Sequence, residues 1–177
     1  PNGDYFVVGE YLGTMDLNPS DSEFNKTAVG SLDIFISAHN ANGEFLWGDS
    51  YGSMGFDELI DARIADDGSI YLVAVFEGFI QWGCGIYSSN GSLDIAFAKL
   101  SSNGQVEWVR IIGGDDTDFV SSFEITDEGN LLLWGQFLST VDFDPSIQGT
   151  FNMTSDGEGF GQGDLFLASY SADGDFQ

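Results

Sequence analysis

The chain has 177 residues and carries 29 Asp and Glu against 4 Lys and Arg, a formal net charge of −25. Four cations (Lys26, Arg63, Lys99, Arg110) make no basic patch for phosphate, which excludes nucleic-acid binding and a polybasic membrane-surface helix; no run of eighteen apolar residues exists, so no membrane insertion by a helix is expected. The 16 Phe, 6 Tyr and 4 Trp are core material that excludes disorder, and so acidic a surface, needing salt or bound cations against its self-repulsion, suits an extracellular setting.

The first element is GDYFVVGEY from Gly3, which predicts a strand over Tyr5–Tyr11. Just after it stand Asp16 and Asn18, hard oxygen donors of the kind Ca²⁺ takes; before Pro19 they serve equally as Asx turns. Asn25-Lys26-Thr27 is a glycosylation sequon. The next block runs from Asp33 through Gly43 to Trp47 and includes His39, the lone histidine, read as a packing residue at a half-buried strand position. With no second histidine and no cysteine pair, a zinc site is not expected.

Phe56 to Gly68 alternates, with Ile60, Ala62 and Ile64 on one face and Asp61 and Arg63 on the other. Ile70 to Phe76 is nearly all apolar, as in a strand covered on both faces. Cys84 is the single cysteine, so no intrachain disulfide forms, and it reads as a small buried apolar residue. Asn90-Gly91-Ser92 is a second sequon. Asp94 to Trp108 follows, then Gly113-Gly114 and the acid cluster Asp115, Asp116 and Asp118, a second metal candidate that also reads as a solvated turn with Asp118 closing a local hydrogen bond. The alternating block ending at Gly129, with Ser121, Phe123 and Ile125 sharing a face, leads into a strand over Leu131–Phe137. Asp142 and Asp144 then repeat the earlier acid pair, Asn152-Met153-Thr154 repeats the sequon, and Asp164 to Phe176 repeats the Asp-to-Gly block.

These blocks recur at spacings of 65 and 61 residues, giving units of about 1–67, 68–128 and 129–177. Each reads as short antiparallel strands joined by Gly-containing tight turns. The fold class is all-β: a β-propeller-like array of four-stranded antiparallel blades, about three repeats of roughly 60 residues. The strand count of three, then four, then three makes this an arc, completed by more chain, by other copies, or stacked as a solenoid. The chain starts at Pro1 without Met and is expected to be excised from a longer one.

The D-x-F-x-x-x-x-x-x-x-G-x-x-x-W pattern of Asp33 to Trp47, the segment Gly3 to Gly9, and Gly113-Gly114 with Asp118 resemble the secreted bacterial β-propeller repeat, or SBBP, family. The middle copy departs, with Ala96 for the Phe and Ala74 for the second Gly. The resemblance implies a secreted or surface-attached protein with an adhesive or structural role and no established catalytic site. The expected function is a non-catalytic extracellular structural or adhesive repeat protein, a building block of a surface layer or fibre. The alternative is a propeller gripping a protein or carbohydrate on one rim. Expected partners are other copies or neighbouring repeats, and glycans; no cofactor is required, with Ca²⁺ at Asp16, Asn18, Asp142 and Asp144 as the candidate ion and Asn25, Asn90 and Asn152 as candidate glycan carriers. No serine is read as a G-x-S-x-G nucleophile elbow, and 29 acids single out no glycosidase pair.

Overall fold

The computed structural model describes residues 3–157 and 162–177; Pro1 lies outside them. It is all-β, with fourteen strands among the described residues and no helix. A first sheet has the order β1 (Tyr5–Tyr11), β4 (Asp33–His39), β5 (Phe45–Tyr51). The second is the antiparallel meander β6 (Asp57–Ile64), β7 (Ile70–Trp82), β8 (Gly85–Leu100), β9 (Val106–Gly114), and the third has the order β10 (Phe119–Ile125), β11 (Leu131–Phe137), β14 (Asp164–Tyr170). Each module extends a hairpin between two principal strands, β1 and β4 in the first, β7 and β8 in the second, and β11 and β14 in the third. In the outer modules it is separate: β2 (Thr14–Asp16) with β3 (Asn25–Thr27), and β12 (Thr140–Asp142) with β13 (Asn152–Thr154). In the middle module it is continuous with β7 and β8.

The hairpins join one module to the next. Val141 and Asp142 of β12 pair with Gly114 and Gly113 at the end of β9. One repeat earlier, Gly52 after β5 bridges Gln81 of β7. Five strand connections share one turn: in the first, Asn40 N–H bonds Glu44 C=O and Gly43 N–H bonds Asn40 C=O, with Gly43 at φ 84°. This is a three-residue hairpin loop whose last residue is left-handed, which is why glycine recurs there.

The apolar alternation of the strands is used on both faces. Ile34, Ile36 and Tyr51 of the first sheet share a buried layer with Ile70, Leu72, Ala74, Ala96, Ala98 and Leu100 of the second. The opposite faces of the same strands, through Tyr71, Val73, Val75, Ile95 and Phe97, form a second layer with Leu131, Leu133, Phe166, Ala168 and Tyr170 of the third sheet. That double coverage is the reason Ile70 to Phe76 is apolar throughout and wholly buried. No ring is closed among the described residues.

Two local expectations are corrected. Strands β6 and β10 carry matching bulges, between Leu59 and Asp61 and between Val120 and Ser122. The extra residue flips the alternation, so Val120 and Phe123 are both buried and Ser121 is exposed, not on the face of Phe123. Cys84 is exposed, in the tight turn between β7 and β8.

Candidate functional site

The expected acid pairs are placed alike in both outer hairpins. Asp16 Oδ1 accepts the N–H groups of Asn18 and Phe24 at 3.0 and 2.8 Å. Asp142 Oδ1 accepts those of Asp144 and Phe151 at 3.0 and 2.8 Å. Asn18 and Asp144 repeat the pattern one step on, accepting from Ser20 and Ser146. All four side chains therefore make Asx-type contacts that shape the loop before the second hairpin strand. Of the second candidate cluster, Asp118 is buried, Asp116 accepts from the Ser139 hydroxyl and Asp115 is exposed. Among the described residues no three His, Cys, Asp or Glu side chains come together as a metal-binding group.

The three sequon asparagines are exposed. Asn25 and Asn152 open the second strand of their hairpins. Asn90 lies within β8, four residues before Asp94, where its N–H bonds Asp94 Oδ2 and its Nδ2 donates to Gly113 C=O. Its side-chain amide is thus engaged, as is that of Asn25, whose Nδ2 donates to Glu23 Oε2 at 2.9 Å.

In the sequence Asp33, Asp57 and Asp94 stand out as repeat anchors, and Asp118 as a member of the acid cluster that closes a local hydrogen bond. The structure brings them together two by two. The Asp33 carboxylate fills the space beside Gly52, 2.2 Å from where a Cβ would stand, and Asp57 Oδ2 accepts the next N–H, of Ser53, at 2.7 Å. One repeat later Asp94 fills the space beside Gly113, again at 2.2 Å, and Asp118 Oδ2 accepts Gly114 N–H at 2.7 Å. Each module junction therefore has two buried carboxylates closing on one dipeptide, and glycine is required there because a side chain would strike a carboxylate. Burial pushes Asp57 and Asp118 up to about 6 and Asp94 up to about 7, against hydrogen bonds that lower them; neighbouring Asp33, Asp116 and Asp118, respectively, raise them further. Asp57 Oδ1 and Asp94 Oδ1 meet no hydrogen-bond partner, which leaves each junction one oxygen open to a proton or a hard cation. The signal in the sequence was the co-recurrence of Gly52 and Gly113 with the two Asp positions.

A concavity of about 300 Å³ lies on the outer face of the first sheet, lined by Tyr5, Val7, Leu17, Phe35 and His39 among others. Tyr5 stacks on His39 with ring centroids 5.3 Å apart. His39 is buried, more than the half-buried position expected, and its Nε2 lies 2.7 Å from Ser37 Oγ. Ser37 donates its hydroxyl proton to Leu17 C=O at 3.0 Å, so the histidine is the donor to Ser37 rather than a base acting on it. His39 Nδ1 has no partner among the described residues, hence no acid orients the ring as in a triad. The spacing G-x-S-x-G does occur, at Gly48, Ser50 and Gly52, which corrects the expectation above. Ser50 lies inside strand β5 with no following helix, so it is not the apex of a strand-to-helix elbow. A larger groove of about 690 Å³ between the turns before Gly68 and Gly129 is lined by Arg63 and five acids, Asp66, Asp67, Glu124, Asp127 and Glu128 among them. All four cations are paired with acids, Lys26 with Asp49 at 2.6 Å most closely. No protein-family model and no curated protein matches the chain.

Proposed function

We propose that the chain is a non-catalytic, extracellular structural or adhesive repeat protein built as an arc of propeller-like blades. The observation that carries this reading is the pair of apolar layers shared between consecutive sheets: its buried residues are spent on joining modules, a scaffold's use of sequence. The polar groups that recur are likewise used to shape junctions and loops, as at Asp57, Asp118, Asp16 and Asp142. The acidic exterior, with every cation paired, suits a saline exterior setting.

A second reading, a propeller that grips a carbohydrate or protein, is favoured by the concavity at Tyr5 and His39, where the exposed Tyr5 ring offers an aromatic face for stacking. One experiment separates these. The purified chain is incubated with a panel of polysaccharides and glycans and assayed for turnover and retention. The structural reading expects neither. Turnover lost on changing a single carboxylate would overturn it in favour of an enzyme, and glycan retention lost in Tyr5→Ala would overturn it in favour of the second reading.

A further inference from the structure

Each junction between modules buries two carboxylates and brings no basic side chain to them. Asp33 and Asp57 are 2% and 1% exposed at the first junction, and Asp94 and Asp118 are both 0% exposed at the second. The four cations of the chain are paired elsewhere, with Asp49, Asp61, Glu107 and Asp175. Backbone N–H groups meet part of the charge: Val29 and Gly30 donate to Asp33, Ser53 to Asp57, Asn90 to Asp94, and Gly114 and Leu138 to Asp118. One oxygen stays bare at each junction, Asp57 Oδ1 at the first and Asp94 Oδ1 at the second, with no hydrogen-bond partner among the described residues. A fully buried carboxylate oxygen with nothing against it is costly unless it takes a proton or coordinates a cation. In each case the second aspartate of the junction is near enough for its charge to be felt at the bare carboxylate. Main-chain oxygens crowd the same loops. A Cβ on Gly30 would stand 2.1 Å from the carbonyl oxygen of Ser53, and one on Gly91 would stand 2.6 Å from that of Gly114 and 2.2 Å from that of Asp115.

We propose that each junction binds one Ca²⁺ ion between its two aspartates, Asp33 with Asp57 and Asp94 with Asp118, with Asp57 Oδ1 and Asp94 Oδ1 as ligands and neighbouring main-chain carbonyls completing the set. The charges match, since two carboxylates and one divalent ion cancel. Ca²⁺ suits the place better than Mg²⁺. It accepts an irregular set of carboxylate and carbonyl oxygens, whereas Mg²⁺ demands a near-ideal octahedron and keeps several waters that would have to be buried with it. Asp33 opens β4 and Asp57 opens β6, while Asp94 lies in β8 and Asp118 immediately precedes β10. Each ion therefore ties a strand of one module to the first strand of the next, beside the apolar layer that already joins them. The sites are separate from the outer hairpin loops, where Asp16 and Asp142 close turns through Oδ1. The inference goes beyond the structural reading and holds equally for an arc that grips a glycan.

The test is equilibrium dialysis of the full chain against radiolabelled Ca²⁺ at about pH 8, where the junction carboxyls are ionised, in about 0.15 M KCl to screen the surface acids and with excess Mg²⁺ to occupy them. The unaltered chain is expected to show two saturable sites, Asp57→Asn and Asp94→Asn one each, and the double variant none. In both substitutions the amide oxygen keeps the existing hydrogen bonds and the NH₂ replaces the bare oxygen, so a ligand is lost while the fold is kept. Asp16→Asn with Asp142→Asn is expected to retain both sites. Thermal melts of the unaltered chain give a second readout that needs no variant: Tm is higher in Ca²⁺ than in an equal concentration of Mg²⁺. No saturable site, equal Tm in the two ions, or two sites that persist in the double variant would overturn the proposal. Sites lost with Asp16 and Asp142 instead would overturn it by placing the ions in the hairpin loops. None of these outcomes bears on turnover or glycan retention, so the structural reading stands or falls separately.

Discussion

At the scale of residues, the two aspartates of one junction, Asp94 and Asp118, differ in what a substitution does. Asp118 uses both oxygens, accepting from Gly114 N–H at 2.7 Å and Leu138 N–H at 3.1 Å. Asp94 uses one, accepting from Asn90 N–H at 2.8 Å, with its other oxygen unpartnered. An asparagine at 118 turns an NH₂ toward a backbone N–H and leaves a buried donor unmet, a cost of about 1–3 kcal/mol. At 94 the amide oxygen keeps the single acceptor role, and the substitution removes a buried charge beside Asp118. The pH dependence has a definite sign. A carboxyl raised from 3.8 to about 6 or 7 binds more protons folded than unfolded across that window, so stability is greatest at its acid end and falls as pH rises through it. Thermal melts in high salt, which screens the general repulsion, are expected to show Tm rising from pH 8 to pH 5. Asp94→Asn flattens that rise and holds or raises Tm at pH 8, whereas Asp118→Asn lowers Tm at every pH. A flat profile in the unaltered chain would contradict the burial argument. The sequence marked these aspartates by their recurrence; it did not pair Asp33 with Asp57 or Asp94 with Asp118, because each pair meets across 24 residues of chain through a turn whose path only the folded sheets define.

At the scale of elements, the strands were the most legible part. Tyr5–Tyr11 and Leu131–Phe137 form as expected, and the strand that begins with the apolar run from Ile70 extends to Trp82 because the hairpin continues it. The bulges were not legible, since an inserted residue leaves the composition unchanged while reversing every later side chain. The recurring tryptophans were noticed without a role. Trp47 Nε1 donates to Ser102 C=O at 3.2 Å, and Trp108 Nε1 donates to Ala172 C=O at 3.3 Å. Each Trp thus lies on the hairpin turn of the following module. A Cβ on Gly104 would stand 2.6 Å from the Trp47 ring, whereas one on Gly129 would meet nothing within 4 Å. Both glycines are left-handed, at φ 84° and 82°, so both alanine variants carry the conformational cost of about 1–2 kcal/mol. Only Gly104→Ala also displaces the ring. Denaturant unfolding is expected to show the larger loss for Gly104→Ala, with the difference shrinking when Trp47→Ala is added to both. Equal losses in the parent chain would show that Trp47 does not fasten the turn.

At the scale of the whole molecule, sequence periodicity was enough for the class and the count of principal strands, three, four and three. It could not say which end faces stay apolar, because Leu165 and Leu167 look like ordinary core residues until the structure shows them uncovered. Stability by stacking has a spatial signature. Strands β7 and β8 are sandwiched between two layers, while β1 and β14 each have one covered face and, among the described residues, one strand neighbour. Opening free energies follow burial and pairing. Native-state hydrogen exchange of the monomeric chain at low salt is the most direct check. Amides of Leu72, Val73, Ala96 and Phe97 are expected to exchange most slowly, with protection falling toward β1 on one side and β14 on the other. Protection in β1 or β14 equal to that of β7 and β8 would contradict the claim that each sheet is held by its neighbours.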